Sequence, residues 1–413
     1  MIAACGTAAA LALSATLVVA AAGFARVLTA SGGAGGDFLS FYAAGDIVRH
    51  GGAGLYDARV QAAAQQALYP GEITRATGYP LPVAAAWLFA PLSILPFQAA
   101  FALWTGFNIM LAAVLSRAMY RSLGSVPVAP RRMFVATFAL SVPMVTNLVF
   151  GQVDLLIFGA MLGAHALLRP RREYEAGALL AVVVIKPQFL MGVVPMLLVR
   201  RRWRAAAALA ACGAAVLVVP ALLTSPALLW TNARFVAESY PGAGDQLQVM
   251  AGMMANWRGF MVSITGDDRV ATWLPGLAAI GAVAFASAIA VWRRAAASAS
   301  DDQSYALAVM LPLVASPHLH TQSLVLMFIP LALLLRARLG ASSTVAGAAQ
   351  VEVAVTILGG LYVLLFACWV MTAVGLSFTV FLLAALYGAM VLSWPAPRVA
   401  AEAPARETGA IAA

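Results

Sequence analysis

Apolar runs of near membrane-spanning length alternate along this chain with short arginine-bearing turns and two long polar stretches. A helix crossing a bilayer needs roughly 20 mainly apolar residues, and the runs predict spans at 5–28, 97–119, 133–150, 153–168, 205–223, 272–292, 304–316, 320–335, 349–370 and 374–394. Residues 176–199 lie between two arginine clusters, so one crossing would put a cluster on the wrong side. A helical hairpin that turns at Lys186-Pro187 resolves this, because proline removes a backbone donor and clashes with the preceding turn. Residues 81–96 are short and punctuated by proline, which predicts a juxtamembrane helix on the outer face. The expected fold is all-α and polytopic, with about twelve membrane helices counting the two half-length arms. Residues 1–394 read as one membrane-embedded domain, and residues 395–413, rich in Ala, Pro and charge, as a disordered cytoplasmic tail.

Composition sharpens this reading. The 413 residues are 63% hydrophobic and 10% charged, against a charged share of about 25% in soluble domains. The +9 charge sits in clusters between apolar runs, so it reports topology and not a nucleic-acid surface. Arg117, Arg121, Arg131 and Arg132, then Arg169, Arg171 and Arg172, then Arg200, Arg201, Arg202 and Arg204 mark cytoplasmic turns. The pairs Arg293/Arg294 and Arg336/Arg338 and the tail Arg398/Arg406 complete the set. The stretches from Thr29 to Pro80 and from Thr224 to Val270, sparse in arginine for their length, then face outward. The run Leu11 to Gly23 has no basic residue before it, which favours a retained span over a cleaved signal. Cys5, Cys212 and Cys368 stand in apolar stretches at unrelated spacing, so neither a disulfide framework nor a zinc site follows.

Ionisable groups near hydrocarbon are costly and mark function. Asp37, in GGDFLSFYAAG beside Phe38, Phe41 and Tyr42, sits where partial desolvation would raise its pKa and suit it to proton abstraction; an exposed loop acid is the competing reading. Asp46, Tyr56 and Asp57 follow and also suit capping and packing. Gln152 and Asp154 mark an outward turn in FGQVDLLIF. Lys186, the only lysine of the chain, needs an anion, and a phosphate suits a point charge of this kind. His318 and His320 in ASPHLHTQSLVL fit acid/base or hydroxyl-binding work; no carboxylate completes a metal set with them. Trp257 and Arg258 are candidates for a cover over the site. No phosphate-cradling loop, dinucleotide fingerprint or zinc spacing occurs, so no cofactor is expected and a divalent cation has no support.

Taken in order, DFLSFYAAGDIVRHGGAGLYD, APLSILPFQAAFALW, FGQVDLLIF, AGALLAVVVIKPQFLMGVVPMLLVRRRWR and ASPHLHTQSLVL resemble the glycosyltransferase family 87 proteins over roughly residues 35 to 335. The resemblance implies a GT-C fold, a polyprenyl-phosphate-sugar donor, and a glycolipid or glycan acceptor outside the cytoplasm, with mannose-type hexose or pentose transfer at the cell membrane. It makes Asp37 the general base and matches Lys186 to the lysine of the broken helix pair and Gln152 to the Gln of the second outer turn. From local chemistry the further site residues are His318 and His320 as catalytic groups, Lys186 with Arg258 for the donor phosphate, and Tyr42, Tyr56, Gln152, Asp154 and Gln322 as substrate contacts. Asp154 stands where the family often has Asn, and Gln322 and Ser323 where it often has His or Asp. Two other classes compete: a secondary transporter or lipid flippase, which would need inverted internal repeats, and an oligosaccharide ligase or polymerase built on the loop carrying Arg234, Arg258 and Arg269.

Overall fold

The computed structural model describes residues 11–19, 21–22, 36–68, 76, 78–169, 172–239, 251–294, 301–339 and 348–394. Residues 29–35, 69–75 and 77 of the first outward stretch, part of the first span, Arg171 and the tail from 395 lie outside the described residues. Among the described residues the regular structure is helical, without strands. Residues 11–19 and 21–22 are helical. Then follow α1 (Gly36–Arg49), α2 (Ala58–Gln66), α3 (Val83–Phe89), α4 (Phe97–Ser122), α5 (Val128–Leu140), α6 (Val142–Val149) and α7 (Asp154–Leu168). The second half comprises α8 (Glu173–Leu180), α9 (Leu190–Val199), α10 (Trp203–Thr224), α11 (Ala227–Ser239), α12 (Trp257–Thr265), α13 (Val270–Arg294), α14 (Asp301–Ala315), α15 (Phe328–Leu339), α16 (Ala348–Ala373) and α17 (Thr379–Leu392).

Six stretches among the described residues are long and apolar enough to cross a membrane: Phe97–Ser122, Val128–Val149, Trp203–Thr224, Val270–Arg294, Thr321–Leu339 and Glu352–Ala373. Three shorter apolar helices, Asp154–Leu168, Pro187–Val199 and Thr379–Leu392, accompany them. Among the described residues the expected count of twelve is not confirmed, because α7, α9, α14 and α17 have 15, 10, 15 and 14 residues, short of the roughly 20 that a crossing needs; two of the six spans are themselves built of two pieces. In the run 133–150, Ser141 ends α5 and its Oγ accepts from the Met144 backbone N–H (3.4 Å), starting α6 with a proline in its first turn. In 320–335 the first seven residues, Thr321–Met327, form a 3-10 helix.

The segment 81–96 is not one juxtamembrane helix. It forms the two-turn α3 and a 3-10 turn at Leu92–Ile94, and α3 packs on α1 so closely that a side-chain Cβ at Gly45 would stand 2.6 Å from the Phe89 carbonyl carbon. Trp87 Nε1 donates to Thr224 Oγ1 (2.8 Å), fixing α3 to the end of α10.

The hairpin has the expected break. Helix α8 tightens into a 3-10 segment at Ala181–Ile185, Lys186 leaves helical geometry (φ −130°, ψ 76°), and Pro187–Phe189 restarts the chain as a 3-10 turn leading into α9. Both feet stand on one side: Arg202, after α9, pairs with Glu173 at the start of α8 (2.9 Å) and with Asp301 at the start of α14 (2.8 Å), and Arg200 also pairs with Asp301 (2.9 Å). Gly177 and Gly192 let the two arms press onto the backbone of α10 and α14, at Ala205 and Ala308. Close approach through glycine is a general device of membrane helix packing.

Helix α14 is buried from Ser304 through Ala315, the behaviour of a helix apolar on all faces. Its first turn carries Asp302, which His165 (3.0 Å), Arg169 (3.3 Å) and Arg336 (2.5 Å) surround. Its last turn leads into Ser316 to His320. Helix α7 likewise runs from Asp154 to Leu168, about 22 Å at 1.5 Å per residue. The arginine-rich feet and the turns bearing Asp154, His318 and His320 therefore lie at opposite ends of the bundle.

Candidate active site

At the end opposite the arginine feet lies a cavity of about 550 Å³. Asp37 and Ser40 of α1, Gln152, Lys186 at the hairpin break, and His318, His320 and Gln322 after α14 contribute its polar lining; Phe41, Phe150, Ile185 and Trp369 are among its apolar wall.

Local backbone chemistry brings the first three together. Gly151 has φ +62°, and a Cβ there would stand 2.6 Å from Phe38 Cβ; only glycine tolerates both conditions. The Phe38 backbone N–H donates to the Phe150 carbonyl (2.9 Å), and Trp104 Nε1 donates to the Gly151 carbonyl (2.8 Å). The start of α1 is thereby bound to the turn before α7. Phe38 packs edge-on against Phe89 and Phe101, at centroid distances of 5.9 and 5.3 Å, which fixes the helix that carries Asp37.

Four side chains form a continuous chain. Gln152 Nε2 donates to Asp37 Oδ2. Lys186 Nζ donates to Gln152 Oε1 (2.9 Å) and to both Asp154 oxygens (3.0 Å each). Ser323 Oγ donates to Asp154 Oδ1 (3.3 Å), and Gln322 Nε2 reaches Asp37 Oδ2 at a long 3.5 Å. A lysine only donates and an ionised carboxylate only accepts, so the Gln152 amide can point one way alone. Asp154 has no exposed surface and opens α7, where the helix dipole favours a carboxylate.

Asp37 itself is half-buried, with its open side toward the cavity. Burial pushes its carboxyl above the usual range, with Asp154 adding to the rise; Lys186 and the Gln152 hydrogen bond act against it. His318 and His320 meet edge to face at 4.8 Å. Burial, then neighbouring His320 and Lys186, pushes the His318 imidazole well below its usual value, and burial with Lys186 lowers His320 to about 4. Both rings are thus neutral at pH 7 and available as hydrogen-bonding groups rather than cations. Their turn is pinned from outside: Asn256 Nδ2 donates to the Ser316 carbonyl (2.9 Å) and the Ala255 N–H to the Leu319 carbonyl (2.7 Å).

Of the ten residues singled out in the sequence, Asp37, Gln152, Lys186, His318, His320 and Gln322 line the cavity. Four do not, and their roles are revised. Tyr42 donates to the Leu95 carbonyl (2.7 Å) and Tyr56 to the Leu81 carbonyl (3.1 Å), both as packing groups. Arg258 is held in a two-pronged pair with Asp268 (2.7 and 2.6 Å) and lies over the Trp273 ring. Asp154 stands behind the wall as the partner of Lys186, the anion that the sequence reading had sought in a phosphate. Sequence reasoning missed Asn147, fully buried and donating to the Gln322 carbonyl (3.4 Å), and the wall from α16, Trp369, Thr372 and Ala373. Nothing local marks these, since their partners lie far away in the chain. Among the described residues no group of three or more His, Cys, Asp or Glu side chains is placed to hold a metal.

Compared with known proteins, neither the curated proteins nor the solved structures yield a match. The sequence profile of glycosyltransferase family 87 does match, over residues 79–317. That segment spans more than half of the chain and carries Gln152, Asp154 and Lys186 of the four-residue chain, leaving Asp37 to be placed by the geometry. A helical membrane protein with these turns folded around one polar cavity, the chain belongs to glycosyltransferase family 87.

Proposed function

We propose that this membrane glycosyltransferase moves a sugar, a mannose-type hexose or a pentose, from a polyprenyl-phosphate carrier to a glycolipid or glycan acceptor on the extracytoplasmic side of the cell membrane. The observation that carries the reading is the half-buried Asp37 at the cavity wall, with Oδ2 occupied by Gln152 and, among the described residues, no hydrogen-bond partner on Oδ1. A carboxylate with one oxygen anchored and the other open is placed to take the proton of an acceptor hydroxyl. As that proton moves to Oδ1, the acceptor oxygen bonds to the sugar C1 and the C1–O bond to phosphate breaks, leaving the electron pair on the polyprenyl phosphate.

The neutral rings of His318 and His320 offer N–H donors to sugar hydroxyls or to the departing phosphate. A cavity of about 550 Å³ falls within the roughly 300–1,000 Å³ of small-molecule sites, and suits a sugar-phosphate headgroup while the prenyl tail stays among the helices. The side of the membrane follows from retention of arginine on the cytoplasmic face, which puts the opposite end, with the cavity, outside. The transporter reading is disfavoured by the absence of internal repeats, and the ligase reading loses Arg258 to Asp268.

The test is a transfer assay with purified protein in nanodiscs, a radiolabelled mannosyl polyprenyl phosphate and a membrane-lipid extract. Release of polyprenyl phosphate together with label in the acceptor fraction is the expected result; movement of intact donor across liposomes without cleavage overturns the enzyme reading. A pH dependence accompanies it. The base works deprotonated, so activity is present above the raised Asp37 value and falls as pH drops through it. kcat/KM should therefore show an acid limb above 3.8. The histidines, already neutral, add no limb near 6.5. A rate independent of pH from about 4 to 8 would contradict proton abstraction by this carboxylate.

A further inference from the structure

The hairpin lysine borders the cavity, but its ammonium is taken up by two partners. Its ammonium spans Asp154 on one side and the Gln152 amide on the other, with donor–acceptor distances of 2.9 to 3.0 Å. Its side chain is 9% exposed and that of Asp154 has no exposed surface. An ion pair enclosed in this way presents little net charge to an arriving anion, and with Asp37 ionised the four-residue chain carries a formal charge of −1. A phosphate therefore meets no free cation there. What the ammonium does reach is Asp37, through one amide.

The geometry points to Asp154 and Lys186 as positioning residues for Asp37: Asp154 holds the Lys186 ammonium on the Gln152 carbonyl, Gln152 in turn anchors Asp37 Oδ2, and Oδ1 is left as the proton-accepting atom facing the cavity. This rests on the reading of Asp37 as the base and deepens it. The Gln152 amide is polarised from its carbonyl side by the ammonium, which strengthens the N–H it gives to Asp37, as hydrogen bonds in a chain reinforce one another where the dielectric is low. Asp154 has two tasks. It keeps an otherwise isolated ammonium compensated, and it fixes the ammonium position with both carboxylate oxygens while Ser323 secures one of them. The broken helix explains how the lysine gets there: with regular helical backbone through residues 181–190 no chain break would open at Lys186. The departure of position 154 from the Asn frequent in the family fits this arrangement, because an amide in its place would leave the lysine charge uncompensated.

Two carboxylates and one cation in a row predict shifts of opposite sign, which a purely structural role does not. Full-length protein in detergent is treated with dicyclohexylcarbodiimide, which modifies protonated carboxyl groups, across a pH series. The extent of modification of Asp37 is read by peptide mass spectrometry, with Asp37→Asn as the blank. Lys186→Met should move the midpoint up by about one pH unit or more, because a neighbouring positive charge is lost; Asp154→Asn should move it down, because a negative one is lost. Lys186→Met/Asp154→Asn, which removes the pair together, should return near the parent value, and Gln152→Leu should move it up. Unchanged midpoints in the single variants and in Gln152→Leu, or shifts of one sign in Lys186→Met and Asp154→Asn, overturn the proposal. Where a single variant does not elute as a folded species on size-exclusion chromatography, the double variant and Gln152→Leu carry the test alone. Binding of a long-chain prenyl phosphate supplies the second readout: the double variant should bind within about twofold of the parent, and a tenfold loss would assign Lys186 to the phosphate and overturn the claim. If instead Asp37→Asn retains transfer activity, the base reading fails while these titrations still stand or fall on their own.

Discussion

Asp37→Asn should abolish sugar transfer while leaving donor binding in place. Asparagine keeps the shape and can still meet Gln152, but it has no basic oxygen for the acceptor proton. General-base catalysis is worth about 10² to 10⁴ in rate, so kcat should fall by at least about a hundredfold with the affinity for the prenyl-phosphate donor changed by less than about threefold. Asp37→Glu tests placement: an extra methylene pushes the carboxylate past the amide that anchors it, and recovery should be partial. A variant that turns over at the parental rate would remove Asp37 from the chemistry and redirect attention to His318 and His320, which share the cavity wall.

Gly192→Ala should cost nearly as much by an unrelated route. The added Cβ would collide with the Ala308 carbonyl of α14, and neither backbone is free to yield, since α14 is buried along almost its whole length. Overpacking of this kind costs about 1–3 kcal/mol, and displacement of α9 moves the apex that holds Lys186. Thermal unfolding should start at lower temperature and transfer activity should drop more than the stability loss alone explains. Gly360→Ala is the control: it sits in α16 with nothing within 4 Å of an added Cβ, and exchanging glycine for alanine in a helix gains about 1 kcal/mol. Equal behaviour of the two variants in both measurements would contradict the close α9–α14 contact.

The sequence made the hairpin legible because its evidence is local and redundant: two arginine clusters that must share a side, and a Lys-Pro step that breaks a helix. Its feet, the Arg202 pairs with Glu173 and Asp301, follow the same logic. Spans were harder to count, since an apolar run does not fix how many of its residues become regular helix: Asp154–Leu168 and Thr379–Leu392 stop at 15 and 14 residues. The juxtamembrane segment failed for a related reason: proline at positions 82, 91 and 96 frames two short turns as readily as one helix bounded by them.

For the site, chemical type and topology went far. Asp37, Gln152, Lys186, His318, His320 and Gln322 were recognisable as polar groups on outward turns, and the fold gathers all six around one cavity. Tyr42, Tyr56 and Arg258 were drawn in by neighbourhood alone, and each is held by a nearby partner, Leu95, Leu81 and Asp268.

What the sequence determined by itself is therefore what depends on the solvent: which segments avoid water, which end keeps the arginines, and where a charge is too costly to be idle. Pairing was decided only by the tertiary structure. Whether Lys186 faces a phosphate or Asp154 depends on side chains 32 residues apart meeting at 3.0 Å, and whether Asp37 has one open oxygen depends on a glycine turn 114 residues later in the chain. Hydrophobic patterning acts over one helix length, whereas a hydrogen bond is decided within a few tenths of an ångström, and only the packed fold fixes distances that finely.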